Sequence, residues 1–354
     1  MAVEPSSLAL LACDKTDDRS AAAWQAVLEP FANLENVVSD AASGIAAAVE
    51  AVAAARSASG STVPLEHSLD VFHTNQEARR VLAGPWRRAE AAWDKATAAD
   101  AKVAEAKRKG EDARGVAGQA RSAWQNAERL LADVDRQESA WQRARAALAV
   151  FRPDGTLNER AWAEAEITAA LAELRGPEWQ KVRNYLKDPR ALTFLDRLHR
   201  RLAEVEPDPS LRPAWVCRWW LRHRAPQPTA ATTALEHVQA LLDAKIRAGE
   251  LKPEEQAAYD RVAAVLRTTV RASSAVEGIN SVLRMQQGRH RKMTQGLLDL
   301  KRLYWNCRRL QTGKRRGRCP YEMLGAPLPS TDFWTLLQSV PQPAGQQPPE
   351  KVSG

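Results

Sequence analysis

Long apolar runs are missing from these 354 residues, and so are paired cysteines. No stretch approaches the ~18–20 consecutive apolar residues of a membrane-spanning helix, and the N-terminus lacks the charged-then-apolar order of a secretory signal. Cys13, Cys217, Cys307 and Cys319 stand apart with no C-x-x-C pair, which argues against a zinc ribbon and against a disulfide framework. A soluble cytoplasmic protein with reduced thiols and no membrane partner is expected. Acid is scarce as well, but only locally. From 284 to 318, Asp299 stands alone against twelve basic residues: Arg284, Arg289, Arg291, Lys292, Lys301, Arg302, Arg308, Arg309, Lys314, Arg315, Arg316 and Arg318. That local excess is larger than the +8 of the whole chain, so the basic character is concentrated in one arm and permits a polyanionic partner.

What is present is globular. Hydrophobic residues make up 44% and charged residues 27%, values that exclude wholesale disorder, and the length suits two or three domains. Residues 6–13 form a short apolar run that fits a buried strand, with a helix open on periodicity alone. Asp17 or Asp18 can cap a helix from Arg19 to Phe31. In Asn36-Val37-Val38-Ser39-Asp40, β-branched residues run straight into an acid, followed by small residues and a helical pattern from Ile45. A strand ending in Asp before a helix puts that carboxylate at the carboxyl edge of a sheet, where α/β active sites lie. Alone, Asp40 reads as a helix cap before it reads as a catalyst. Residues 63–73 read as another strand, and Asp70 and His73 at its end fit either a site-lining or a structural role.

From Gln76 to about Val150 the chain is rich in Ala, Arg and Glu, with Trp86, Trp93, Trp124 and Trp141 spaced along it and Gly110, Gly115 and Gly118 near the middle. This predicts two long helices in an antiparallel hairpin with the tryptophans packed between them; stacking on bases is the other use of such residues. Phe151 to Gly155 is a turn, and the helices of 156–205 break at Gly176-Pro177 and Asp188-Pro189. The segment Trp215 to Arg224 is aromatic and basic together, which fits a tryptophan-anchored helix or a DNA contact. Two further helices are expected at about 230–248 and 253–268. The tail from 338 to 354, with four prolines among Gln and Gly, is expected to be disordered.

The stretch Ser273-Ser274-Ala275-Val276-Glu277-Gly278-Ile279-Asn280-Ser281-Val282-Leu283-Arg284 places one carboxylate on a helical face with Asn280, Ser281 and Arg284, beside an apolar stripe of Val276, Ile279 and Leu283. Taken alone, Glu277 is a solvated residue on an amphipathic helix. It is followed in order by Gly288-Arg289-His290-Arg291-Lys292-Met293-Thr294, Tyr304-Trp305-Asn306-Cys307, Gly313-Lys314-Arg315-Arg316-Gly317 and Pro320-Tyr321-Glu322-Met323-Leu324-Gly325. This series of segments resembles the last catalytic region of DDE-type transposases of bacterial insertion sequences.

The resemblance implies an RNase H-like α/β catalytic half interrupted by a large all-α insertion, mostly helical overall. The implied domains are 1–75 for the first part of the catalytic fold, 76–270 for the insertion, 271–337 for the Glu-bearing helix and basic part, and 338–354 for the tail. The motif V-V-S-D-x-x-x-G-I gives Asp40 the role of second catalytic acid, and S-x-x-E-G-x-N-S gives Glu277 that of third. Both would bind Mg²⁺ or Mn²⁺ in a two-metal site, with Asp70, His73 and Asn280 as possible lining residues. Hard cations prefer carboxylate oxygens, and a metal pair about 3.5–4 Å apart activates the nucleophile and stabilises the leaving oxyanion. Arg284, Arg289, Arg291, Lys292, Arg302, Arg308, Lys314, Arg315 and Arg316 would neutralise DNA phosphates. The implied function is transposition by phosphodiester hydrolysis and strand transfer, with DNA and further copies of the chain as partners, on the nucleoid. The chain departs from the pattern in one respect: the first catalytic Asp belongs to a strand upstream of Met1-Ala2-Val3, so one ligand and a central strand are expected to be missing, as in a truncated transposase. The alternatives are a non-catalytic DNA-binding remnant and a purely helical scaffolding protein.

Overall fold

A computed structural model of the chain describes residues 1–16, 18–223, 252–271, 274–287 and 293–339. The protein is mostly helical, and it divides into a terminal unit, Met1–Ala32 with Ser273–Gly354, and a central unit, Asn33–Ala272. The expected helix at 230–248 and the tail from 340 lie outside the described residues, and so does Asp17.

The terminal unit is built on an antiparallel hairpin of β1 (Ala2–Glu4) and β2 (Ala9–Ala12), followed by α1 (Ala21–Leu28). The apolar run at 6–13 thus yields a strand, buried at Ala9, Leu10 and Ala12, while its partner β1 has no such signature. Glu4 closes the connecting turn by accepting from the backbone N–H groups of Ser6 (2.9 Å) and Ser7 (2.6 Å). Helix α1 is capped by Ser20, which accepts from Ala23 N; Asp18 instead accepts from Ser20 N, one step outside the helix. The C-terminal part supplies α10 (Ser274–Gln287), α11 (Gln295–Cys307), α12 (Pro320–Leu324) and α13 (Phe333–Ser339). Leu10, Cys13, Ile279 and Leu298 form a small core, with Met1, Val3, Met293 and Trp305 packed on it.

Helix α11 holds β2 through side chain to backbone bonds. Asn306, 1% exposed, accepts from Leu10 N (2.8 Å) and donates to Leu10 O (3.0 Å), acting as a strand edge would. Trp305 Nε1 donates to Leu8 O (2.9 Å) and Arg302 to Leu11 O (3.2 Å). These bonds satisfy backbone groups that an edge strand otherwise presents.

In the central unit, β3 (Asn36–Ser39) and β4 (Glu66–Leu69) pair in parallel, joined by α2 (Ser43–Ala58), whose Ile45, Ala48, Val49 and Val52 are buried. The helix runs on through Arg56, Ser57 and Ala58 to a C-cap at Ser59. Among the described residues the four strands form two separate pairs. The chain then passes from β4 directly into α3 (Val71–Lys109) and returns as α4 (Arg114–Ala147). The hairpin turns at Gly110, whose φ of 73° lies in the left-handed region that glycine occupies without cost, while Gly115 and Gly118 sit inside α4.

From Val71 to Ala96 the buried residues of α3 fall at Val71, Thr74, Ala78, Leu82, Pro85, Ala89, Ala92 and Ala96, in steps of three or four residues, close to the repeat of a coiled-coil seam. Ala120, Ala127, Val134 and Ala140 answer from α4. Alanine lines the interface because a methyl group lets two backbones approach closely. The tryptophans bridge the two helices beside these alanines, with Trp124 packed on Ala92, Ala96 and Ala127. Trp86 donates to Glu138 (3.0 Å), Trp124 to Asp100 (2.6 Å), and Trp93 meets Trp124 edge to face at 4.8 Å while staying 45% exposed. Trp141 alone of the four is buried.

Helices α5 (Arg160–Glu173), α6 (Gln180–Lys187) and α7 (Thr193–Val205), with 3-10 turns at Pro177–Trp179 and Pro189–Leu192, complete the main core around fully buried Trp179, whose Nε1 donates to Gln137 (3.0 Å). The breaks fall at the two prolines, as expected. A second cluster joins α7 to α8 (Arg212–His223) and α9 (Pro253–Thr268) through Leu198, Leu202, Val262 and Leu266. Trp215 and Trp219 are 5% and 6% exposed, so the aromatic-basic segment is a tryptophan-anchored helix.

Candidate functional site

Two places bear on function, one in each unit. In the central unit, Asp40 and Asp70 stand one residue beyond the ends of β3 and β4, at the carboxyl edge of the parallel pair. Their surroundings differ sharply. Asp40 is exposed, and Ala42 N lies 3.4 Å from its Oδ1. Asp70 is 1% exposed and caps α3, accepting from Phe72 N (2.8 Å), with His73 Nε2 at 3.5 Å. Tyr185 donates to Leu69 O beside it, and burial, then the Asp70 charge, pushes the Tyr185 hydroxyl well above its ordinary value. His73 lies in the first turn of α3 rather than on a strand. Asp70 and His73 are thus brought together, in a pairing that positions the helix.

The same edge holds a network that the sequence did not disclose. Arg190, gripped by Asp188, donates to His67 Nδ1 (3.3 Å). An arginine can only donate, so Nδ1 accepts and the proton sits on Nε2, which donates to Ser39 Oγ (2.8 Å). Ser39 in turn donates to the Asp40 carbonyl (2.9 Å). Burial and the Arg190 charge lower His67 to about 4, so the ring is neutral. A serine beside a histidine suggests a nucleophile and its base, but here the chain of protons runs from histidine to serine. The network locks the strand ends; it does not activate Ser39. Burial raises the thiols of Cys13 and Cys217 and pushes Cys307 up to about 11, which disfavours the reactive thiolate at these three.

In the terminal unit, Glu277 is half-buried in the first turn of α10, where a negative charge complements the helix dipole. Asn280 is half-buried on the same face, and Ser281 is exposed and bonds back to Gly278 O (2.8 Å). Ile279 enters the core, as its stripe requires. The side chain of Arg284 and all of Arg289, Arg291 and Lys292 lie outside the described residues. Among the described residues no group of three or more His, Cys, Asp or Glu gathers to hold a metal.

The remaining cations other than Lys301 divide into two sets. Arg302 bonds Leu11 O and lies 3.7 Å from Asp299; Arg315 donates to Ser6 O (2.8 Å) and Pro5 O (2.9 Å); Arg309 pairs with Glu322 (2.7 Å). These three are spent inside the protein. Arg308, Lys314, Arg316 and Arg318 are exposed and have no acidic partner among the described residues. They sit on or beside a loop closed by Leu310 N to Arg318 O (3.0 Å) and Gly317 N to Leu310 O (2.8 Å), with Gly313 and Gly317 at φ 77° and 80°. The loop is tied at both ends of its chord and anchored by Arg315, so its free cations are displayed on a fixed frame.

A cleft of about 590 Å³ also opens in the central unit between Arg152, Thr156, His199, Arg212 and Val216, but none of the sequence-predicted residues lines it. Comparison with protein-family models, curated proteins and solved structures finds no match to this chain. Among the described residues no helix is long and apolar enough to cross a membrane.

Proposed function

We propose that this chain is a DNA-binding protein of the DDE-transposase type, which grips the duplex backbone with its basic arm. The observation that carries this reading is the closed loop at 308–318: six Lys or Arg and no Asp or Glu, with Arg308, Lys314, Arg316 and Arg318 free of acidic partners among the described residues. Like charges gathered on a fixed loop repel one another, and a polyanion relieves that repulsion while releasing its own counterions. The contacts position a duplex without reading its sequence. In this reading the loop acts with Arg284, Arg289, Arg291 and Lys292.

Catalysis by Asp40 and Glu277 belongs to the same proposal. A two-metal site would supply the water or 3′-hydroxyl activation that phosphodiester cleavage needs. The described residues do not by themselves fit such a site: Asp70 is committed to capping α3, and no three suitable side chains gather. The non-catalytic form of the reading is a DNA-binding relative without strand transfer. One experiment tests the DNA reading as a whole and a second separates its two forms. Duplex binding measured by fluorescence anisotropy should weaken when Lys314, Arg316 and Arg318 are changed to Ala; unaltered affinity would remove the DNA reading altogether. Calorimetric titration with Mn²⁺ of the full chain, Asp40→Ala and Glu277→Ala should give no shared site in the non-catalytic form, whereas binding abolished by either substitution establishes the metal centre.

A further inference from the structure

The terminal unit carries, besides its cations, an aromatic surface that the backbone grip does not use. Tyr304 on α11 is 54% exposed and Trp334 on α13 is 66% exposed, unusual values for rings of that size. Phe333 joins them edge to face, with its ring centre 5.7 Å from Tyr304 and 5.0 Å from Trp334. Beside them a groove of about 250 Å³, lined by Ile279, Val282, Leu297, Tyr304 and Phe333, opens toward Arg308. Leu300 and Leu337 are exposed nearby.

The neighbouring charge decides what such a surface suits. Between 293 and 339 there are eight Lys or Arg and three Asp or Glu. All three acids are engaged within the protein. Asp299 accepts from Gln295 (3.1 Å), Glu322 pairs with Arg309, and Asp332 accepts from Thr335 N (2.9 Å). Arg308 follows Tyr304 by four residues, one helical turn, and is free of acidic partners among the described residues. Exposed ring faces beside unpaired cations, with the three local acids already hydrogen-bonded or ion-paired within the protein, are the combination on which bases stack while the phosphates between them are neutralised. A base inside a duplex cannot offer its face, so the ligand must be unpaired.

We infer that Tyr304, Phe333 and Trp334 form a stacking platform for single-stranded DNA, with Arg308 holding the adjoining phosphate. The inference rests on the DNA reading above and adds a strand preference to it. It is tested by anisotropy of the full chain with a labelled 15-nucleotide thymidine oligomer and with a blunt duplex of equal length, at fixed salt. Trp334→Ala and Tyr304→Ala should each weaken single-strand binding at least about fivefold and leave duplex binding unchanged. Both residues are exposed, so the variants should fold, and circular dichroism checks that. Equal loss on both DNAs, or loss on neither while Lys314→Ala and Arg316→Ala still weaken the duplex, overturns the platform and leaves the DNA reading standing. No binding of either DNA removes both. A wild-type dimer that Trp334→Ala converts to monomer assigns the patch to self-association instead and overturns the platform.

Discussion

The α3–α4 hairpin and the 308–318 loop are both rich in charge, and they use it in opposite ways. The hairpin, residues 71–147, carries fifteen Lys or Arg against eleven Asp or Glu, and its ions pair locally: Lys109 with Glu105 (2.8 Å), Arg80 with Glu77 (2.6 Å), and Arg136 with Asp133. These are solvent-exposed pairs on the outside of an alanine seam, each worth ~0–1 kcal/mol, and they solubilise a long helix. The loop has no acids of its own, and the one glutamate that reaches it, Glu322, satisfies Arg309. Balanced charge marks a surface that faces water; unbalanced charge on a fixed frame marks one that faces a polyanion. The same distinction separates the two strand-end aspartates. Asp70 is buried and engaged as a cap, and Asp40 is exposed.

The comparison can be broken at its structural side first. Trp179→Ala in the core beneath the hairpin should cost about 3–5 kcal/mol, because it opens a cavity and leaves Gln137 without its donor, and thermal unfolding will register it. Acid should act next. His67 is held at about 4 against an ordinary 6.5, so the unfolded chain takes up this proton first as pH falls. Stability is then full above about 6.5 and declines toward 4, by at most about 3 kcal/mol from this group, and denaturant midpoints across that window will show the slope. A flat profile would remove the neutral, buried assignment of the ring. Asn306→Leu should cost about 1–3 kcal/mol by stranding the Leu10 backbone N–H and C=O, a loss visible in the unfolding midpoint. Smallest of all, neutralising the hairpin pair with Lys109→Ala and Glu105→Ala together should stay within about 0.5 kcal/mol and leave DNA affinity untouched.

Local chemistry was legible in the sequence and long-range pairing was not. The strand before Asp40 showed itself because β-branched residues meet an acid and then a helical pattern, and the hairpin because Ala-rich periodicity runs for two long stretches with a glycine between. The three- and four-residue spacing of the buried residues along the interface needed the interface itself. Strand β1 is three residues beside a proline and exists through its pairing with β2. Asn306 lies 296 positions from Leu10, and Arg190 lies 123 from His67, separations at which no residue pattern reports a partner. In the arm, the count of cations was plain, but which of them the protein spends on its own backbone followed from Arg302 and Arg315 finding carbonyls near β2. The grouping of Asp40 with Glu277 came from resemblance and stands as proposal.

The most direct test of this account is the salt dependence of duplex binding by the full chain, set beside two variants. One is the loop variant with Arg308, Lys314, Arg316 and Arg318 changed to Ala; the other removes four hairpin cations, Arg79, Arg87, Lys95 and Arg121. Each phosphate contact contributes about 0.9 to the slope of log affinity against log salt. The account predicts a slope shallower by about 3–4 for the loop variant and an unchanged slope for the hairpin variant. Equal changes in the two, or none in the loop variant, would contradict it.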